Sequence, residues 1–124
     1  MIKVKHLLDP IEADDGERLW IEPIGLTRDL REMCAIDRLL SHFGPSRQLA
    51  DDFDAHPHRY DFFLAEYQQQ LSQGAYVSAL KELARIGRWR NITLIHHSPN
   101  PDENSASALR DFLQRLYAPS FPFS

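Results

Sequence analysis

Asn91-Ile92-Thr93-Leu94-Ile95-His96-His97-Ser98-Pro99-Asn100-Pro101-Asp102-Glu103-Asn104 reads as a buried strand running into a helix start. Ile92 to His97 is apolar on both alternating faces, which predicts a central strand in a sheet covered on both sides. Asn100 is a candidate N-cap, and Pro101 suits the first helical position, where its missing N–H would be unpaired in any case. Glu103 completes a capping-box-like pattern, and Ala106, Leu109, Phe112, Leu113 and Leu116 then recur at helical spacing. Strand, loop and packed helix in that order are the repeating unit of parallel α/β sheets.

On the N-terminal side, Ile2 to Leu8 reads as a strand broken by Asp9-Pro10, and Arg18 to Ile24 as a second, stopped by Pro23 and Gly25. From Thr27, a candidate N-cap, the period changes. Leu30, Met33, Ile36, Leu40 and Phe43 predict one helix running to Gly44-Pro45. Ser46 can cap a short helix that carries Leu49 and Phe53 inward. His56-Pro57 opens a longer one, with Tyr60, Phe63, Leu64, Tyr67 and Leu71 as its buried stripe. Tyr76, Leu80, Leu83 and Ala84 mark a further helix, ended by Gly87. The sum is an α/β fold: a single domain over residues 1–117 whose small, mostly parallel sheet of about three to four strands is flanked by helices, with a Pro- and Phe-rich tail at 118–124. Only about ten residues separate the first two strands, fewer than the dozen or more of a normal parallel crossover, so a hairpin with a long loop stays open for that pair.

The chain has 124 residues, 43% hydrophobic and 26% charged, the balance of an ordinary globular domain. Cys34 is its single cysteine, which excludes an intrachain disulfide, and Met1 to His6 lacks the apolar core of a signal peptide. No run reaches membrane-spanning length, so a cytoplasmic protein with no membrane partner is expected. A net charge of −4 argues against a general nucleic-acid binder, although Arg85, Arg88 and Arg90 could form a local basic patch.

Ligands bind beyond the carboxyl ends of parallel strands, which would gather His6 to Asp9, Glu22 to Gly25 and His96 to Asn100. The N-terminus of the last helix would point into the same cleft, and its free N–H groups favour a small anionic ligand such as phosphate or carboxylate. Glu22, His97, Ser98, Asn100 and Asn104 are the candidate ligand-binding residues. His96, His97 and Glu22 are the candidate catalytic ones, a histidine acting as general base with Glu22 or Asp102 orienting it. Neighbours on a strand point to opposite faces, so His96 and His97 cannot chelate one ion together. A metal would need His6, Asp9, Glu22 or Asp102 as well, and no zinc-type spacing is present; no metal and no cofactor are expected. Cys34 reads as a core or boundary residue, Ser98 lacks the glycines of a nucleophile elbow, and Trp20 and Trp89 read as packing residues. Phe121 and Phe123 make the tail a candidate for homodimerisation.

The order of several marks resembles the YeaO-like bacterial family, small proteins known as a domain of unknown function. These marks are Ile2-Lys3-Val4-Lys5 before Asp9-Pro10, Asp15-Gly16 before Arg18, Pro45-Ser46 before Leu49 and Phe53, and His56-Pro57 before Arg59-Tyr60 and Phe63. Tyr67 with Leu71, Ile92-Thr93-Leu94-Ile95, and Asn104 with Ala106 and Leu109 complete the series. The resemblance implies an α/β fold with a parallel first pair of strands and a shortened crossover. It also exposes departures. The family's Asp-Arg-Leu-Trp-Pro-Arg-Gly segment is here Glu22-Pro23-Ile24-Gly25-Leu26-Thr27-Arg28, and Pro23, Thr27 and Pro99 stand where basic residues are usual. The scaffold is retained while positive charge is lost around the cleft. That pattern favours a diverged binding or interaction module over an enzyme of hydrolase or transferase type, with nucleic-acid association as a third reading.

Overall fold

The computed structural model describes residues 1–116. A four-stranded sheet holds β1 (Ile2–His6), β2 (Glu17–Trp20), β3 (Arg38–Leu39) and β4 (Ile92–His96) in the order β1-β4-β2-β3. Every strand pairing is parallel: Ile2 lies against Ile92, Glu17 against Ile92, and Leu19 against Arg38. The α/β expectation holds, and so does the central place of β4, all five of whose residues are buried. β1 and β2 are not a hairpin. β4 separates them, and residues 7–16 cross from one to the other beneath it.

That short crossover carries a single 3₁₀ turn at Ala13–Asp15 where longer crossovers carry a helix. Charge anchors it. The Asp15 carboxylate, 1% exposed, accepts from Lys3 Nζ at 2.7 Å and from Arg18 Nη1 at 2.6 Å, with Lys5 Nζ at 2.9 Å. Thr93 Oγ1 donates to the Asp15 carbonyl at 2.7 Å, tying the turn to the middle of β4. Gly16 follows at φ +63°, and a Cβ there would lie 1.8 Å from the Asn91 carbonyl oxygen, so only glycine lets the chain enter β2 at this point.

Four helices cover one face of the sheet: α2 (Arg47–Ala55), α3 (Tyr60–Gln73), α4 (Val77–Trp89) and α5 (Ser105–Leu116). Leu19, Ile21, Ile92 and Leu94 meet Phe53, Phe63, Tyr67, Leu80, Leu109 and Leu113 there in the main core. Each such fully buried side chain contributes about 1.5–3 kcal/mol of transfer free energy. The opposite face is smaller: Leu7, Trp20, Cys34, Ile36 and Ile95, with Leu26 and Leu30 against them. Cys34 is thus a core residue, 5% exposed.

Three sequence expectations are corrected. The helix read from Thr27 to Phe43 is only α1 (Arg28–Met33), capped by Thr27 Oγ1 accepting from the Leu30 N–H at 3.2 Å. The chain then turns through Ala35 at φ +52° because the free edge of β2 offers better partners. Asp37 N–H bonds the Arg18 carbonyl at 2.8 Å and Leu40 N–H the Trp20 carbonyl at 2.7 Å, which makes Arg38–Leu39 an edge strand. Sheet pairing overrides a helical spacing whose Met33 is left 67% exposed. The last helix also begins later than its first asparagine suggests. Asn104, not Asn100, caps it, accepting the Ser107 N–H at 2.8 Å, while Asn100 Oδ1 closes a turn with the N–H groups of Asp102 at 2.9 Å and Glu103 at 3.0 Å. Finally, Trp20 packs as expected but Trp89 does not, being 79% exposed at the end of α4. The tail at 118–124, and with it the proposed dimer contact through Phe121 and Phe123, lies outside the described residues.

Candidate functional site

β2 feeds α1 on one face of the sheet and β4 feeds α5 on the other, so the carboxyl ends of these adjacent strands form the switch point where α/β sheets bind ligands. Glu22 leaves β2 there and His97 leaves β4. Glu22 is 5% exposed. Its carboxylate accepts a close hydrogen bond from Ser105 Oγ at the start of α5, and its second oxygen lies 3.6 Å from His97 Nε2. Its own carbonyl accepts from Ser41 Oγ at 2.7 Å. Burial raises the Glu22 carboxyl above its usual range; Ser105 and His97 oppose that shift, and Asp54 adds to it.

The two histidines occupy different compartments, as strand geometry requires. His97 sits edge-on to the Trp20 ring at 5.9 Å, and its buried Nδ1 has no hydrogen-bond partner among the described residues. His96 is buried, 2% exposed, edge-on to the His6 ring at 5.6 Å. Its Nδ1 accepts from the Ser98 N–H at 3.0 Å, which fixes the neutral tautomer with the proton on Nε2. Burial chiefly, with the neighbouring His6 and His97 in support and Asp9 opposing, pushes His96 down to about 4. It is neutral at physiological pH and too weak a base to suit general base work there.

The remaining sequence candidates serve the backbone. Ser98 joins Glu22, His97 and Ser105 on the wall of the crevice. Asn104 is fully buried, giving its oxygen to α5 and donating Nδ2 to the Asn100 carbonyl at 3.0 Å. Asn100 is exposed in its turn, with Nδ2 reaching Glu103 at 3.4 Å, and Asp102 is exposed beside it. Ser105 and Asp54, which act on Glu22 alongside burial and His97, are not among the residues that the sequence singles out. The buried run Ser105-Ala106-Ser107-Ala108 was the available signal, because small residues along a helix mark close approach.

What the arrangement can do is limited by room and by order. The crevice bounded by Glu22, His97, Ser98, Ser105, Phe53 and Phe63 encloses about 10 Å³, at most one water. Phe53 of α2 and Phe63 of α3, their rings stacked at 4.4 Å, fill the space a substrate would need. The polar groups also stand in an unhelpful sequence. The carboxylate lies between the serine and the histidine, whereas an activated serine needs the histidine between itself and the acid. As for metals, the one cluster of three close ligating groups among the described residues is Glu12, Asp14 and Asp15. Two ammonium groups already sit on it: Lys3 Nζ is 3.1 Å from Asp14, and Lys5 Nζ is 2.6 Å from Glu12.

A family model described as the inactive DUF488-N3 subclade matches residues 1–120. The chain belongs to that subclade. The chain is 28% identical to the uncharacterized protein YeaO of Escherichia coli over 93% of its own length and 98% of the relative's. It is 26% identical to uncharacterized proteins of Mycobacterium tuberculosis and Mycobacterium bovis, over 77% of its length and 81% of theirs. No solved structure gives a significant match. Membership agrees with the resemblance to YeaO-like proteins. No described helix is long and apolar enough to cross a membrane.

Proposed function

We propose that this DUF488-N3 subclade member is a non-catalytic module that works by binding a small anionic ligand rather than by transforming one. The observation that carries the reading is the filled switch point, where about 10 Å³ remains between Glu22, His97 and the two phenylalanine rings. An enzyme of this fold needs that crevice open. Here Glu22 is shut in by Ser105 and Phe53, and its position repels an anion at the very place where basic residues are absent. Glu22 and His97 then act as a strut that ties the end of β2 to β4 and α5. Binding therefore falls to surface outside the crevice. A family described as inactive supports the same view.

The test is a turnover screen with purified protein against phosphoesters, acyl esters and glycosides, run beside His97→Ala. Background rates identical for the two proteins are expected. A wild-type activity that disappears in His97→Ala would overturn the reading.

A further inference from the structure

We infer that the ligand site of this module is the open cavity between residues 41–47 and 70–76, and that it takes a small planar aromatic anion of about mononucleotide size. The inference rests on the binding reading above and deepens it by placing the site and naming the ligand's chemistry. The cavity encloses about 550 Å³, within the range that holds a small-molecule ligand. It lies one strand outward from the filled crevice. Pro23 follows β2 and Ser41-His42 follow β3, so it still opens at the carboxyl end of the sheet.

Charge selects the ligand's sign. Arg47 lines the cavity and, among the described residues, no carboxylate does, in a chain whose 18 acidic residues outnumber its 14 Lys and Arg. Among the described residues Arg47 pairs with Asp51, Nε to Oδ1 at 3.3 Å, and such exposed pairs are weak enough for an anion to compete. The first turn of α2 begins at the same edge, behind Ser46, and adds its dipole to the same preference.

Aromatic surface selects the ligand's shape. The His42 ring is 5.1 Å from that of Tyr76 and 4.2 Å from that of Phe43. Phe43 is buried beneath, while His42 and Tyr76 are exposed, Tyr76 by 49%. Half-exposed rings backed by a buried one make a stacking wall rather than core packing.

The wall is also held rigid, which lowers the cost of binding. Tyr67 Oη, buried in α3, donates to the Phe43 carbonyl at 2.6 Å. Ser41 Oγ fastens the segment to the Glu22 carbonyl, and Gln70 grips Ser46 twice, accepting from its N–H at 3.1 Å and donating to its Oγ at 3.2 Å. A Cβ on Gly44 would lie 1.8 Å from the Ile21 carbonyl oxygen, so the segment sits directly on the end of β2.

The experiment uses the full chain with four probes, AMP, indole-3-acetate, adenosine and inorganic phosphate, followed by calorimetry and saturation-transfer NMR. The two aromatic anions are expected to bind at least about tenfold more tightly than adenosine or phosphate. Tyr76→Ala and Arg47→Ala should each weaken AMP by about tenfold, the usual scale for one lost stacking or charged contact, with unchanged circular dichroism. Absence of binding by both aromatic anions overturns the site. Binding that survives both substitutions, or adenosine binding equal to AMP, overturns it as well. None of these outcomes touches the turnover screen, so the site and the non-catalytic reading fail separately.

Discussion

Asn at position 15 should cost this protein a large share of its stability. Asp15 is 1% exposed, and Arg18, which it pairs at 2.6 Å, is 2% exposed, so Asp15→Asn leaves a buried guanidinium facing a neutral amide. Removing one partner of a buried ion pair costs about 3–5 kcal/mol. Lys3 and Lys5 lose the same partner, but both retain other contacts, Lys3 with Asp14 and Lys5 with Glu12, which holds the expected value to the lower half of that range. For a chain of this length a loss of about 3 kcal/mol lowers Tm by roughly 10–15 °C. The sign with pH follows from the three cations. Burial raises the Asp15 carboxyl, but hydrogen bonds from Lys3, Lys5, the Glu12 N–H and Arg18 together outweigh it and hold the group well below its ordinary value. A carboxyl depressed in the folded state stabilises above its unfolded pKa and loses that contribution as pH falls through the folded one. Wild-type stability should therefore fall steeply below about pH 4, and the Asp15→Asn profile should be flatter there. Urea titrations at pH 7, 5 and 3 measure both quantities, with Asp14→Asn as a control. Asp14 has a 70% exposed side chain and should shift stability by less than about 0.5 kcal/mol. An Asp15→Asn protein within about 1 kcal/mol of wild type would refute the view that charge anchors the β1–β2 crossover.

Three further outcomes follow from single side chains. Glu22→Gln should stabilise the protein at pH 7, because burial raises the Glu22 carboxyl and its ionised form is the disfavoured one; the gain should vanish below pH 4, where both carry a neutral group, and a destabilised Glu22→Gln at pH 7 in thermal melts would contradict it. Tyr67→Phe should cost about 1 kcal/mol in urea unfolding through the lost bond to the Phe43 carbonyl, and should weaken AMP binding by loosening the aromatic wall; unchanged AMP affinity would separate that wall from its support. Trp89→Ser should leave urea stability within about 0.5 kcal/mol of wild type, since the ring is 79% exposed, and a larger loss would show that it packs.

How much of this was legible in the sequence depends on how local the cause was. β4 and α5 could be read because an apolar run and a periodic stripe are properties of contiguous residues. The inward faces of α2 and α3, with Phe53 and Phe63, could be read for the same reason. β3 could not. Arg38 and Leu39 carry no strand signal, and only the exposed edge of β2 pulls them out of the helix that their neighbours suggest. The choice between Asn100 and Asn104 as cap was likewise decided at a distance. Both can cap, but Ser105 has to reach Glu22, and that contact places the first turn of α5 four residues later. The meeting of Glu22 with His97 was foreseen from the parallel-sheet rule, and the order of groups across it was not.

The filled crevice and the open cavity have one structural cause. Residues 40–46 leave the edge strand β3 and cross the carboxyl end of β2, pinned by Ser41, Gly44 and Tyr67. That path sets α2 over the switch point, so Phe53 and Ala50 come down on Glu22 and close it. The same path leaves His42, Phe43 and Ser46 as the wall of a new hollow against the turn at Gly74–Tyr76. Pro23, just past the end of β2, lines that hollow instead of reaching into the crevice. Closing one site and shaping the other are therefore not independent events. A substitution that reopened the crevice by shifting α2, such as Phe53→Ala, would also move Ser46 and Arg47, and AMP affinity should fall as crevice volume grows. Opening of the crevice with AMP affinity unchanged would show that the two sites are uncoupled.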